Sequence, residues 1–196
     1  MVRKKRAGPE IRFPPILSNM KRGPAVIIPK DLGMVISYTG LGKTSKVVEA
    51  GAGSGFATIV LGNIAKNVVS YERKKEFAEL VKDNVKKAGL KNVKVKTADV
   101  LEGIKEKGVD LVLLDMPEAQ NAVKHAYLAL AKGGYLVGFL PNMEQAKEFY
   151  LTAEKAKFDE VFMLESIVRE YDVRIYGVRP KHVGLTHTAY LVFAQK

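Results

Sequence analysis

Residues 46–55 read Lys46-Val47-Val48-Glu49-Ala50-Gly51-Ala52-Gly53-Ser54-Gly55, a short apolar run closed by three alternating glycines. An apolar run of this length, stopped by glycine, is the pattern of a buried strand, and a helix is predicted over 54–65. Three alternating glycines are more than a tight turn requires. They let the backbone approach a ligand closely, with the free N–H groups of the helix start facing it. The loop is not a dinucleotide fingerprint, because Phe56 stands where the third glycine counted from Gly51 belongs, and the register from Gly53 fails too. The pattern E-x-G-x-G-x-G suits a nucleoside ligand without phosphates. A second cluster, Gly40-Leu41-Gly42-Lys43-Thr44, is not a P-loop: Ser37 occupies the required first glycine, and the cluster precedes a strand instead of following one.

A regular alternation extends outward from this stretch. Pro29 opens a predicted helix running to about Thr39. Strands are predicted at 67–71 (NVVSY), 92–96 (NVKVK), 109–114 (VDLVLL) and 135–140, with helices over 73–88, 100–107, 118–131 and 144–155 between and after them. Strands separated by helices imply right-handed βαβ units and a mostly parallel sheet. Two further strands, 159–169 and 186–194, have only a loop (170–185) between them and should therefore pair antiparallel. The expected fold is α/β, a doubly wound, mostly parallel seven-stranded sheet with an antiparallel C-terminal hairpin.

Acidic residues stand at successive strand ends: Glu49 in the first, Glu72 after the second, Asp99 after the third and Asp115 after the fourth. In a doubly wound sheet the carboxyl ends share one edge, so these four are expected to line one crevice. Any one of them could be a helix cap. Four in succession around a glycine loop are hard to assign to capping alone.

The chain has 196 residues, with 32 Lys and Arg against 21 Asp and Glu, a formal charge of +11. Residues 1–30 carry eight basic groups and only Glu10, leaving a net +4 for the rest. A basic arm over 1–28, ahead of a domain over 29–196, makes a polyanion partner plausible. No apolar run approaches the ~18–20 residues of a membrane helix, and no apolar segment follows the basic start as a signal peptide requires. The chain has no cysteine, which excludes disulfides, thiol nucleophiles and cysteine metal sites and fits a cytoplasmic location. Three scattered histidines, His125, His182 and His187, do not make a metal site.

The glycine motif with its series of acidic strand ends resembles the class I S-adenosylmethionine-dependent methyltransferases. Three stretches are similar to the tRNA adenine-N1 methyltransferases of the T-loop: Lys21-Arg-Gly-Pro…Pro29-Lys-Asp31, residues 47–55, and Arg179-Pro180…His187-Thr-Ala-Tyr-Leu191. Leu114-Asp115-Met-Pro117 matches that family's L-D-x-P segment. The family carries an aromatic or His before its Pro-Lys-Asp, where this chain has Ile28, and a separate N-terminal domain that this chain is expected to lack.

The resemblance implies S-adenosylmethionine as cofactor, held by Glu49, Ala50, Gly51, Gly53, Ser54, Gly55, Phe56, Glu72, Arg73, Asp99, Val100 and Asp115. Gly51–Gly55 would approach its methionine part, Glu72 its ribose, and Asp99 its adenine amine beside Val100. Asp115 would face the reacting base and serve as the catalytic carboxylate. The partner implied is tRNA, met by Lys21, Arg22, Lys30, Arg174, Arg179 and Lys181, with a homo-oligomer, a tetramer, as the assembly. Two other readings stay open from the residues: a small-molecule methyltransferase of this fold, and an RNA-binding member without catalysis.

Overall fold

The computed structural model describes residues 11–23, 26–182 and 184–196. The basic cluster Arg3, Lys4, Lys5 and Arg6 lies outside them, as does Pro24 of the Lys-Arg-Gly-Pro stretch. In chain order the elements are α1 (Pro29–Thr39), β1 (Lys46–Ala50), α2 (Phe56–Ile64), β2 (Asn67–Glu72), α3 (Lys75–Lys87), β3 (Val93–Thr97) and β4 (Val109–Leu114). There follow α4 (Val123–Ala129), β5 (Leu130–Leu140), α5 (Met143–Lys155), β6 (Glu160–Leu164), β7 (Tyr171–Arg174), β8 (Gly177–Pro180) and β9 (Tyr190–Gln195).

Seven strands form one sheet, the number that the alternation predicted, in the order β3-β2-β1-β4-β5-β9-β6, with β7 and β8 forming a separate two-stranded sheet. The five strands from β3 to β5 pair parallel. Their central members, β1 and β4, are buried nearly throughout, as strands covered on both faces must be. Chain order reverses between β1 and β4, so the crevice beyond their carboxyl ends is where such a sheet takes its ligand. Among the described residues no helix is long and apolar enough to cross a membrane.

The last two strands of the large sheet pair antiparallel at its edge, as the missing crossover helix predicted. β9 inserts between β5 and β6 and runs antiparallel to both, leaving β6 at the edge. The reason is burial. Residues 191–194 of β9 are buried on both faces, whereas β6 is only half-covered. Phe193 and Phe162 are opposite each other in the β6/β9 pair and stack with ring centroids 4.9 Å apart. The predicted loop 170–185 instead contains the β7/β8 hairpin.

Two predicted helices are shorter than their patterns suggested. The 118–131 segment is a 3-10 turn (Ala119–Ala122) followed by α4, and Leu130 already pairs with Val109. The 100–107 helix reduces to one 3-10 turn, Val100–Glu102. Past that turn Glu106 accepts a 2.5 Å hydrogen bond from Tyr71 Oη and is ion-paired to Lys96. These side-chain bonds tie residues 103–106 down to β2 and β3 and end the helix.

The N-terminal segment is laid on the body from Phe13 onward. Leu17 is buried, and Phe13, Ile16 and Met20 pack with Phe56, Ile59 and Val81 of α2 and α3.

Candidate active site

The alternating glycines take the conformations that their pattern anticipates. Gly51 has φ +87°, and a Cβ there would meet the carbonyl oxygen of Asp115 at 1.8 Å. The bare backbone of the first strand end thus lies directly against the fourth. Gly55, at φ +78°, would press a Cβ against Val81 Cγ1 at 2.9 Å. The loop is fixed between β4 and α3.

Beyond it opens a crevice of about 300 Å³, lined by Ala50, Gly51, Gly53, Glu72, Arg73, Asp99, Val100 and Asp115 among others. These are eight of the predicted cofactor residues. Glu72 accepts the N–H of Gly53 on one carboxylate oxygen at 3.1 Å and that of Lys74 on the other at 2.9 Å. A carboxylate oxygen accepts two hydrogen bonds, so each retains capacity for a ligand hydroxyl. Asp99 caps the 3-10 turn by accepting the Leu101 N–H at 2.9 Å, and Arg73 stands 4.0 Å from its other oxygen.

Four predicted residues do not line the crevice. Glu49 is buried among Thr58 and Ser70, whose hydroxyls donate to it at 2.5 and 2.8 Å. It belongs to the interior beneath the crevice, because its strand alternation turns it away from the mouth. Ser54 is buried against the N-terminal segment, Gly55 against Val81, and Phe56 inside the cluster under that segment.

The crevice also takes Tyr71, Lys74, Phe77, Ala98, Met116 and Pro117, which sequence reasoning missed. For most of them the available signal was adjacency: Tyr71 precedes Glu72, Ala98 precedes Asp99, and Met116-Pro117 follows Asp115. Phe77, in the first turn of α3, carried no such signal. Tyr71 is itself held by its hydrogen bond to Glu106 and by Lys96, whose ammonium donates to its Oη at 3.1 Å.

Burial raises the pKa of Asp115 to about 7, assisted by the nearby charge of Glu49. Glu49 is raised in turn, by burial above all, against the two hydroxyls that donate to it. Two carboxyls in one dry region cannot both ionise freely. Asp115 is therefore poised to exchange a proton near neutrality.

The donor set fits a nucleoside bearing a positive charge. Glu72 offers acceptors for a vicinal diol, Asp99 an acceptor for an amine, and Val100, Phe77 and Met116 apolar surface for a base. Asp115 supplies a carboxyl to the crevice lining, while its backbone carbonyl lies against Gly51.

The predicted nucleic-acid residues divide. Lys21 and Arg22 are exposed, with the Arg22 guanidinium 5.3 Å over the Phe13 ring. Arg174 and Arg179 lie within 3.8 and 3.9 Å of Asp172 but remain largely open to solvent. Lys181 pairs with Glu170 at 2.5 Å.

Lys30, unlike the others, is engaged within the protein. Its ammonium is nearly buried and donates to Asp31, Ser166 and Thr188, each at 2.7 Å. Ser166 and Thr188 also donate to Asp31, which is fully buried. The Pro-Lys-Asp and His-Thr-Ala-Tyr-Leu stretches thus meet in one polar knot, whose role is to join α1 to the approaches of β6 and β9. Beside it, His187 bridges Glu165 at 2.6 Å and the Pro141 carbonyl at 3.1 Å, which raises its pKa. A second pocket of about 490 Å³, walled by Ile28, Ile167, Val168 and Leu185, shares no lining residue with the crevice.

Residues 18–182 match the family described as the tRNA methyltransferase complex GCD14 subunit. The chain is 36% identical over 213 residues to the tRNA (adenine(57)-N(1)/adenine(58)-N(1))-methyltransferase TrmI of Methanocaldococcus jannaschii, covering 92% of this chain and 74% of that one. Among solved structures, the tRNA (m1A58) methyltransferase TrmI of Aquifex aeolicus superposes with a TM-score of 0.86 at 30% identity, over 92% of this chain and 74% of that one. An S-adenosylmethionine-dependent O-methyltransferase of Thermotoga maritima gives a TM-score of 0.88 at 31% identity, over 93% and 71%. The acidic crevice and its glycine loop are thus those of an S-adenosylmethionine-dependent methyltransferase, and the chain belongs to the GCD14 family of tRNA methyltransferases.

Proposed function

We propose that this chain methylates N1 of an adenine in the T-loop of tRNA, with Asp115 as the carboxylate that meets the base. The observation that carries the reading is Asp115 itself, a half-buried carboxyl with pKa raised to about 7 that lines the crevice beside Gly51. Bound S-adenosylmethionine supplies a methyl group on a sulfonium already activated for transfer. The chain's task is then alignment and charge. Glu72 holds the ribose and Asp99 with Val100 the adenine end, so that the reactive end lies toward Asp115; such positioning supplies up to ~7–11 kcal/mol. Methylation at N1 places positive charge on the adenine ring. The Asp115 carboxylate accepts the exocyclic N6–H, offsets that charge and takes the proton.

Lys21, Arg22, Arg174 and Arg179 provide cations for the RNA backbone. Residues 1–28 act as the arm and 29–196 as the catalytic domain, working in the cytoplasm on tRNA. Incubation with unmodified tRNA, followed by nucleoside mass spectrometry, is expected to yield 1-methyladenosine. A product methylated elsewhere, or none, would overturn the reading. With about six to ten phosphates contacted, affinity should fall ~10³–10⁵-fold between about 50 and 200 mM salt.

The assembly is proposed to be a homo-oligomer, a tetramer, with the β7/β8 hairpin as a contact. Tyr171, Val173 and Val178 share one exposed face of it, and Ile175 and Tyr176 at its tip are almost fully exposed. An uncovered apolar patch of this kind marks an interface, and a second copy presents the same patch. Sedimentation of the Val173→Asp, Tyr176→Asp double variant is expected to show dissociation to smaller species. An unchanged sedimentation coefficient would remove the hairpin from the interface.

A further inference from the structure

Asn84 sits in the last turns of α3, fully buried, on the stripe that otherwise carries Ala78, Val81 and Val85. Asparagine is a poor residue inside a helix, and a buried amide is costly unless its hydrogen bonds are made. Here they are made to two separate segments. Nδ2 donates to the carbonyl oxygens of Lys21 and Ser54, each at 2.9 Å, and Oδ1 accepts the Lys21 N–H at 3.1 Å. Ser54, itself buried, accepts the Gly23 N–H on its hydroxyl at 2.8 Å. The amide therefore joins the basic Lys21–Gly23 stretch to the glycine loop.

Aromatic contacts repeat the connection. The Arg22 guanidinium lies over the Phe13 and Phe56 rings at 5.3 and 6.0 Å, and Phe56 opens α2 directly after the loop. A guanidinium stacked in this way keeps its in-plane N–H groups free for a phosphate.

We infer that Asn84 is a positioning residue that couples RNA binding at Lys21 and Arg22 to cofactor binding at the glycine loop. The inference rests on the reading of those two cations as RNA contacts. RNA bound there holds residues 21–23 in the arrangement that satisfies Asn84, and that arrangement fixes Ser54 and the backbone of 51–55. Were the segment to lift, the Asn84 amide would lose partners in the interior, at a cost that opposes the motion. Linkage makes the effect mutual: a loop ordered by cofactor presents a better-ordered Lys21–Gly23 segment to RNA.

The test measures S-adenosylhomocysteine affinity with and without saturating unmodified tRNA, and tRNA affinity with and without S-adenosylhomocysteine. In the unaltered chain each ligand is expected to tighten the other about tenfold. In Asn84→Ala the factor should fall to near one. Ser54→Ala, which removes a single hydroxyl, should reduce it as well and serves if the first variant does not fold. No coupling in the unaltered chain, or coupling at full strength in both variants, would overturn the inference. A purely structural role is also separable, since it would weaken both affinities and leave their ratio unchanged, which likewise overturns it. The Lys21→Ala, Arg22→Ala double variant reports on the underlying reading: weakened tRNA binding is expected, and unchanged affinity would remove the RNA contacts whatever Asn84 does.

Discussion

Replacing Asp115 with Ala is expected to slow methyl transfer by ~10²–10⁴-fold, the range of a lost general base, while tRNA affinity stays within a few-fold. Single-turnover rates beside filter-binding titrations check both halves, and activity retained near the original level would remove Asp115 from the chemistry. The pH dependence carries the same signature. Desolvation, with the charge of Glu49 adding to it, raises Asp115 to about 7, so the carboxylate proposed to accept the N6–H forms only as pH rises through that value. The transfer rate should therefore climb through about pH 7 and fall below it.

Stability should run the other way. A carboxyl whose folded pKa lies above its unfolded value binds more protons when folded, so it costs stability as pH rises from about 4 to about 7. Asp115→Asn removes the buried charge without changing shape. It is expected to melt higher than the original chain at pH 8 and to match it near pH 4. A melting temperature at pH 8 lower than the original would mean that the carboxylate is stabilised in place.

Gly51→Ala is expected to abolish cofactor binding and activity together. The added methyl has nowhere to go: at φ +87° an L side chain is strained, and its Cβ would stand 1.8 Å from the Asp115 carbonyl oxygen. Relief requires the first and fourth strand ends to part, which displaces the glycine loop and Asp115 at once. The transfer rate should fall at least about 100-fold, since displacement by about 1 Å is enough for such a loss, and calorimetry should show weakened S-adenosylhomocysteine binding. Melting measurements should show a lower transition for the same reason. Near-normal affinity would mean that the loop does not approach the ligand through Gly51.

The sheet was legible because its signals are local. The buried run 109–114, the glycine stop after Ala50 and the alternation with helices need only neighbouring residues to be read, and parallel order follows from chain connectivity. The acidic strand ends were legible for the same reason, and Glu72, Asp99 and Asp115 came together as expected. The place of β9 was not. Whether it lies outside β6 or between β5 and β6 depends on burial: residues 191–194 are covered because β5 and β6 flank them, which no local pattern encodes. Glu49 looked like its acidic fellows, but its direction depends on strand alternation and on Thr58 and Ser70, which come from α2 and β2. Lys30 looked like a surface cation until Ser166 and Thr188 were brought to it.

By itself, the sequence determined the class of fold, the edge of the sheet that carries the chemistry and the kind of ligand the glycine loop admits. Backbone geometry and strand order follow from residue type and spacing along the chain. Only the tertiary structure decided which charged groups are free to act. Whether Asp115 is a spectator or a proton acceptor near neutrality, and whether Lys30 meets RNA or Asp31, depends on desolvation and on partners far apart in sequence. Those energies exist only after the chain has closed around the groups.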